Sequence, residues 1–139
     1  MSTEHVNPQA LDNVMVAMAE VQRKSQAFME MITRGESLSV NQIMLMFQLR
    51  LAGSLNITDI SERFLITAGA ASVMCDKLEN AGLIERVRTK EDRRVVNIAL
   101  TGEGEQRILR LFDRFSAEEL KRITDNLQQI HELMNGIVR

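Results

Sequence analysis

The sequence predicts a mainly α-helical fold with a small β-wing, namely a winged helix-turn-helix with long helices at both ends of the chain. Three observations support this prediction. Two short helical segments follow each other within residues 58–81, separated only by a short link, which is the arrangement of a helix-turn-helix. Two β-type runs come directly afterwards and enclose a charged segment, which is typical of a hairpin wing. On both sides of this region, apolar residues recur at helical spacing over long stretches.

The N-terminal segment predicts one long helix over residues 7–34. Asn7 can cap this helix, and Pro8 suits its first turn, where a missing N–H costs nothing. The apolar stripe of the helix consists of Leu11, Val14, Met15, Met18, Val21, Phe28, Met29 and Ile32. A second helix is predicted to start at a capping box formed by Ser39 and Gln42.

The helix-turn-helix is predicted over residues 56–79. Thr58 is expected to cap its first helix. Three apolar side chains of that helix are expected to face inward, namely Ile60, Phe64 and Leu65. The second helix takes Thr67 as its N-cap, runs over residues 68–81 and is closed by Gly82.

Two strands and two further helices are predicted after the helix-turn-helix. Residues 83–87 and 95–100 are rich in Val, Ile and Leu, and the polar segment 88–95 forms the wing between the two strands. Thr101 is expected to cap the next helix, and Ser116 with Glu119 forms a capping box at the start of the last one. Apolar residues then alternate at spacings of three and four, as in a coiled-coil seam: Leu120, Ile123, Leu127, Ile130, Met134 and Ile137.

These elements predict one domain over residues 1–139. Residues 37–104 are expected to form the winged helix-turn-helix. Residues 7–34 and 101–139 are expected to form dimerisation helices, because their apolar stripes are larger than a chain of this size should leave in solvent.

The composition is that of an ordinary globular chain. Apolar residues make up 45% of the 139 residues, and charged residues make up 26%. No apolar run approaches the roughly 18 residues that span a membrane, and residues 1–10 lack the apolar centre of a signal peptide. The single cysteine, Cys75, cannot form an internal disulfide, which fits a reducing compartment. We therefore expect a cytoplasmic protein that does not act on a membrane.

The sequence contains no catalytic or metal-binding pattern. It has no Gly-rich phosphate loop, nucleophile elbow or H-E-x-x-H motif. His5 and His131 are far apart, and neither has Cys or carboxylate residues nearby at metal-ligand spacing. We therefore expect that the chain is not an enzyme and uses no cofactor or metal.

Basic charge is concentrated in one segment, although the net charge of the chain is −2. Residues 83–100 contain Arg86, Arg88, Lys90, Arg93 and Arg94, against Glu85, Glu91 and Asp92. A short basic loop on a mildly acidic chain is suited to contact with phosphate groups.

Four sequence motifs resemble the MarR family of bacterial transcriptional regulators. Residues 38–42 resemble the family's L-T/S-x-x-Q entry to the second helix. Residues 76–86, DKLENAGLIER, resemble its D-x-L-E-x-x-G-L-hydrophobic-x-R passage. Residues 92–94, DRR, resemble its wing motif, and residues 100–104 resemble its L-T-x-x-G close. Each motif is common alone, but four of them in this order and spacing are specific.

The resemblance implies a triangular homodimer, held by the first and last helices of each subunit, that binds double-stranded DNA at a palindromic operator. Family members usually repress transcription, and many release DNA when a phenolic or other aromatic ligand binds. A Met-rich pocket between the first and second helices can admit such an apolar effector, although core filling is the ordinary role of methionine on apolar stripes.

The helix after Thr67 carries an uncharged outward face over its first two turns. Its inward face is expected to consist of Ala71, Met74, Cys75 and Leu78. A helix exposed to water would carry Glu, Lys or Gln on the other face, whereas small residues allow close approach to the major groove. The predicted DNA-binding residues of this helix are Thr67, Gly69, Ala70, Ser72 and Val73, with Val73 able to touch a thymine methyl group. Asp76 lies on the same face and can accept a hydrogen bond from a cytosine amino group.

The wing supplies the remaining predicted DNA-binding residues. Asp92 precedes Arg94 by two residues, a spacing at which a carboxylate can hold a guanidinium in one orientation. An oriented arginine at a hairpin tip suits a narrow minor groove, and the resemblance implies the same roles for these two residues. Lys90 and Arg93 are predicted to lie beside phosphate groups.

Two alternatives from other functional classes stay open. The acidic net charge and the uncharged helix face are compatible with a dimeric protein-interaction module that has this fold but does not bind DNA. A thiol-based redox switch through Cys75 is the other, although an inward-facing cysteine usually behaves as a small apolar residue.

Overall fold

A computed structural model of the chain describes residues 7–139. The elements in chain order are α1 (Pro8–Ile32), α2 (Val40–Ala52), α3 (Ile57–Phe64), α4 (Ala68–Asn80), β1 (Ile84–Arg88), β2 (Val96–Leu100), α5 (Gly102–Phe112) and α6 (Ala117–Asn135). Over the described residues, six helices accompany one two-stranded antiparallel sheet. This arrangement confirms the predicted fold class. The described residues form two compact units, 7–43 and 44–139.

The first unit consists of α1 and the start of α2. The Asn7 side chain accepts a hydrogen bond from Gln9 N at 2.9 Å, which confirms Asn7 as the N-cap of α1. The predicted capping box at the start of α2 is also present. Ser39 N donates to Gln42 Oε1 at 2.8 Å, and Gln42 N donates to Ser39 Oγ at 3.2 Å.

The N-terminal half of α1 leaves its apolar stripe in solvent. Leu11, Val14, Met15, Met18 and Val21 are all exposed. A helix is not held together by its own hydrogen bonds alone in water, and most of its stability normally comes from burying an apolar face. This face of α1 is therefore a surface without a partner in the single chain.

The N-cap of α3 differs from the prediction, which placed it at Thr58. The structure places it at Asn56, whose extended backbone precedes the first helical turn. Asp59 N donates to Asn56 Oδ1 at 2.8 Å, and Asn56 N donates to Asp59 Oδ2 at 3.2 Å. The prediction was wrong because the reciprocal pair is Asn with Asp, three residues apart, so that Thr58 already lies inside the helix.

The expectation that Leu65 faces inward is also wrong. Leu65 is the C-cap of α3 and has left-handed backbone angles, φ 54° and ψ 46°, and its residue surface is 91% exposed. The N–H groups of Leu65 and Ile66 both donate to the carbonyl oxygen of Ser61 and so end the helix. In most helices that end in this way, the left-handed residue is glycine. Because the left-handed residue leaves the helical path, the apolar periodicity that places Ile60 in the core does not extend to Leu65.

The second helix of the helix-turn-helix follows the prediction closely. Thr67 Oγ1 accepts from Ala70 N at 3.1 Å and caps α4, and Gly82 takes a positive φ of 77° directly after the helix. Ala71, Cys75 and Leu78 are fully buried, which confirms the predicted inward face, while Met74 is half-buried. The contacts of α4 are with α3 and β1.

The wing strands pair antiparallel, with Ile84 opposite Leu100 and Arg88 opposite Val96. Leu55 adds a third short segment to this sheet. Its N–H donates to Ile98 O at 3.0 Å, and Ile98 N donates back to Leu55 O at 2.8 Å. Both strands begin one residue later than predicted.

The end of α4, the first strand and α5 meet at one junction. Thr101 N donates to Leu83 O at 3.1 Å, and Thr101 Oγ1 donates to Gly82 O at 2.6 Å. The same hydroxyl accepts from Gly104 N at 3.1 Å and so caps α5, as predicted. A Cβ atom at position 104 would lie 2.2 Å from Leu83 O, which is well inside van der Waals contact.

Helices α2 and α5 are held together in the second unit by one ring contact and one ion pair. The rings of Phe47 and Phe112 have their centroids 5.6 Å apart. Arg50 of α2 pairs with Glu105 of α5. Ile108 and Leu111 of α5 are buried, so the apolar side of this helix faces the core.

The last helix is largely exposed. Ser116 and Glu119 form the predicted reciprocal capping box, with Glu119 N donating to Ser116 Oγ at 3.0 Å. None of the residues of α6 is buried, and Leu127, Ile130, Met134 and Ile137 of the predicted seam are exposed. Nowhere between residues 7 and 139 does a helix combine the length and apolar character needed to cross a membrane.

We predict that Leu65→Gly stabilises the fold. Glycine removes a left-handed strain of about 1–2 kcal/mol, part of which is offset by the greater freedom of glycine in the unfolded chain, so the expected gain is about 0.5–1 kcal/mol. Urea unfolding measures the free energy. Leu51→Gly is the matched control, since Leu51 is equally apolar and exposed but lies within α2, where glycine should cost about 1 kcal/mol. Equal destabilisation by both changes would contradict the assignment of strain to Leu65.

Candidate nucleic-acid interface

The predicted DNA-binding residues of α4 lie on its solvent side. Thr67, Gly69, Ala70 and Val73 are exposed, and Ser72 is half-buried. Because the opposite side of the helix is buried, these residues form one surface, which begins at the N-terminal turn and contains no acidic residue in that turn. The N-terminus of a helix carries a partial positive charge, so it favours contact with a phosphate group.

Gly69 is not required by packing within the chain. A Cβ atom built there would meet only Thr67 Oγ1 within 4 Å, at 3.9 Å, and no positive φ is needed. Position 104, in contrast, must be glycine, because the carbonyl group of Leu83 leaves no room for a Cβ atom there. A glycine without an internal reason is typical of a backbone that another molecule approaches closely.

Arg94 at the wing is held in one orientation by Asp92. The guanidinium donates from Nε to Asp92 Oδ1 at 3.1 Å and from Nη2 to Oδ2 at 3.3 Å, and Arg94 N donates to Oδ1 at 3.0 Å. The Arg94 side chain is nevertheless 91% exposed. This geometry confirms the predicted pairing of the two residues; their contact with DNA stays a prediction.

The loop that carries this pair is itself ordered by hydrogen bonds. Thr89 Oγ1 donates to Asp92 O at 2.7 Å and accepts from Asp92 N at 3.1 Å. Arg88 Nη1 donates to Arg93 O at 2.6 Å, which spans the loop from strand to tip. Lys90 and Arg93 are exposed at the same tip.

The pKa of the Asp92 carboxyl group is lowered from its ordinary value. The main cause is the hydrogen bonding of the Arg94 side chain, and the backbone N–H of Arg94 adds to it. The carboxylate is therefore charged throughout the neutral range, and the guanidinium is held there at any physiological pH.

Sequence reasoning missed the partner of Asp76. Arg86 of β1 donates from Nη2 to Asp76 Oδ1 at 2.6 Å, and its Nε lies 3.8 Å from Glu79 Oε1. Asp76 is thus neutralised within the chain, whereas the sequence suggested a free acceptor for a cytosine amino group. The sequence did contain an indication of this contact, because Asp76, Glu79 and Arg86 are the charged positions of one motif. Only the fold, however, brings their side chains together.

Cys75 has the environment of a core residue. Its thiol is fully buried, and burial raises its pKa to about 11, against a smaller opposing effect of Arg86. Since the thiolate is the reactive form, a thiol of this kind is inert at neutral pH. The redox-switch alternative therefore finds no support in the structure.

Known proteins with similar sequences are bacterial regulators. The model of the MarR family matches residues 38–96. The HTH-type transcriptional repressor MdtR of Bacillus subtilis is 29% identical over 97 residues, which cover 70% of this chain and 63% of MdtR. The uncharacterized HTH-type transcriptional regulator YwhA of the same organism is 35% identical over 80 residues, which cover 50% of this chain and 58% of YwhA. The matched part of the chain thus spans less than two thirds of either relative.

Solved structures share the fold over most of the chain. A MarR family protein from Bacillus stearothermophilus is 20% identical and has a TM-score of 0.68, with 94% of this chain and 99% of that protein covered. A mutant MarR from E. coli complexed with operator DNA is 17% identical and has a TM-score of 0.61, with 87% and 95% covered. At this identity the likeness concerns the fold.

We predict that Asp92 titrates below the ordinary range and that Arg94→Ala raises its pKa. The rise is expected to be incomplete, because the backbone N–H of residue 94 still donates to the carboxylate. The ion pair is present above the lowered pKa and is lost as the pH falls through it, when the carboxyl group takes up a proton. An NMR titration of the carboxyl carbon measures this. Arg93→Ala is the control and should leave the titration unchanged; an equal shift in both variants would contradict the pairing.

Proposed function

We propose that the chain is a transcriptional regulator of the MarR family, which binds a palindromic DNA operator as a homodimer and represses transcription. The family consists of regulators rather than enzymes. The similar protein MdtR is named as a transcriptional repressor, which supports repression as the direction of regulation.

One observation carries the proposal, namely the guanidinium of Arg94 held outward by Asp92. Binding normally costs free energy because it immobilises flexible side chains. An exposed arginine that is already held in one orientation avoids much of this cost. The negative potential of a narrow minor groove favours insertion of such a group. Lys90 and Arg93 on the same tip then lie where the flanking phosphate groups pass.

The exposed face of α4 supports a second contact in the major groove. Gly69 and Ala70 allow the helix backbone to come close to the base edges. Val73 offers an apolar contact for a thymine methyl group, and Ser72 can donate or accept one hydrogen bond. Thr67 lies at the helix N-terminus, where a phosphate group is favoured. Specificity in this arrangement depends on close apolar fit and groove shape more than on paired hydrogen bonds to bases.

The exposed apolar faces of α1 and α6 support a homodimer. Each helix leaves large apolar side chains in solvent at helical spacing, and α6 repeats them at the three-and-four spacing of a helical seam. Monomeric proteins rarely expose extended apolar patches. A second copy of the chain is the proposed occupant, since a two-fold dimer presents two identical reading helices to a palindrome, with half-sites about one helical turn apart.

Release by an aromatic or apolar effector rests on the family resemblance alone and stays a prediction. The protein-interaction alternative is decided by whether the protein selects DNA at all.

The experiment begins with enrichment of a random duplex library by the purified protein, followed by titration of the selected duplex. Arg94→Ala should weaken binding by about 5- to 150-fold for each subunit of the dimer, which corresponds to about 1–3 kcal/mol for one good charged contact. Asp92→Ala should weaken it less, because it loosens Arg94 without removing it. Arg110→Ala removes the same charge from an exposed position of α5 and is the control.

Sedimentation of the same complexes should give two chains for each duplex. Failure to enrich any sequence would favour the interaction module, and equal binding by the wild type and Arg94→Ala would reject the assigned role of the wing.

A further inference from the structure

A single arginine of the wing strand joins two carboxylates of the reading helix. Asp76 and Glu79 are three residues apart and therefore neighbours on one side of α4. Arg86 in β1 reaches both, with Nη2 at 2.6 Å from Asp76 Oδ1 and Nε at 3.8 Å from Glu79 Oε1. The shorter contact has the length of a charge-assisted hydrogen bond.

Stability alone does not account for this arrangement. The side chains of Arg86 and Asp76 are 35% and 57% exposed, and ion pairs at such positions contribute only about 0–1 kcal/mol. Helix α4 is already anchored by its buried face, and Gly82 and Leu83 connect it directly to β1.

The position of Asp76 on α4 gives the pair a second consequence. Asp76 follows Ser72 by four residues and Val73 by three, so its carboxylate lies one turn further along the proposed reading face. An uncompensated carboxylate at that place would repel the DNA phosphates across a short distance. The guanidinium of Arg86 cancels this charge, and because Arg86 belongs to β1, its contact with α4 also limits how far the wing can turn relative to the helix.

We propose that Arg86 is a positioning residue for DNA binding: it masks Asp76 and fixes α4 against the wing strand, and does not itself contact phosphate. The inference rests on the proposed function, since it concerns the same DNA surface. It sets Arg86 apart from Lys90, Arg93 and Arg94, which share its charge and segment but lie at the exposed tip.

A double-mutant cycle tests this proposal with the selected duplex. Arg86→Gln should weaken binding by about 10-fold or more, because it leaves Asp76 charged and unpaired. Asp76→Asn alone should change binding by less than about 3-fold. The combination of the two should recover most of the loss caused by Arg86→Gln, and the slope of affinity against salt should match that of the wild type.

A direct phosphate contact gives the opposite pattern. Binding by the double variant would then stay as weak as that of Arg86→Gln, and the salt slope would fall in magnitude by about 0.9 for each subunit, or about 1.8 for the dimer. Glu85→Gln is the matched control, because it removes one negative charge from the neighbouring position on β1, which points to the other face of the strand. If Glu85→Gln restored the DNA affinity of Arg86→Gln as well as Asp76→Asn does, the effect would depend only on net charge. That result would overturn the proposal.

Two further measurements separate a loss of folding, and an absence of DNA binding by the wild type, from a loss of the positioning role. Thermal unfolding of each variant identifies any general loss of structure, and Arg86→Met, which also removes the charge that masks Asp76, replaces Arg86→Gln in the cycle if the latter does not fold. Wild-type protein is titrated first. Absence of binding by the wild type refutes the proposed function, whereas wild-type binding without recovery in the double variant refutes the positioning role alone.

Discussion

The carbonyl group of Leu83 is the point on which the winged helix-turn-helix, with the proposed DNA surface, depends. It accepts the N–H of Thr101, and it lies so close to Gly104 that no side chain fits between them. Thr101 in turn binds Gly82 O with its hydroxyl and caps α5 through Gly104 N. One small junction therefore joins the end of α4, the base of the wing and the start of α5. It also gives a physical reason for the Leu-Thr-x-x-Gly pattern at residues 100–104.

The geometry of the proposed DNA surface follows from this junction. Gly82 turns the chain out of α4 with a positive φ, and β1 starts two residues later, paired in register with β2. The pairing of Arg88 with Val96 leaves a short loop between the strands, and the side chains of Thr89 and Asp92 order that loop. Arg94 is consequently carried on a wing whose base is fixed to α4, both through the junction and through Arg86.

Much of this arrangement is local and could be predicted from the sequence. Caps such as Ser39 with Gln42 and Ser116 with Glu119 act over three residues, so spacing alone identifies them. The pairing of Asp92 with Arg94 is local in the same sense. The predicted contacts of these residues with DNA, in contrast, involve a second molecule, and no spacing within the chain determines them.

The wrong predictions have equally physical causes. Thr58 is predicted as the N-cap of α3 because threonine often caps helices, but only the backbone shows that Asn56 stands before the first turn. Leu65 was placed inward because periodicity assumes a continuing helix, whereas a left-handed residue ends it. The contact of Arg86 with Asp76 was missed because it joins a helix to a strand, and no local spacing rule covers such a contact.

The junction is tested most directly by comparing alanine at positions 104 and 102 in urea unfolding. A Cβ atom at Gly104 would overlap Leu83 O, whereas one at Gly102 meets nothing within 4 Å. Gly104→Ala is predicted to lower the free energy of unfolding by about 1–3 kcal/mol, the usual cost of overpacking. Gly102→Ala should leave it unchanged or raise it by up to about 1 kcal/mol. A Gly104→Ala variant as stable as Gly102→Ala would contradict the account.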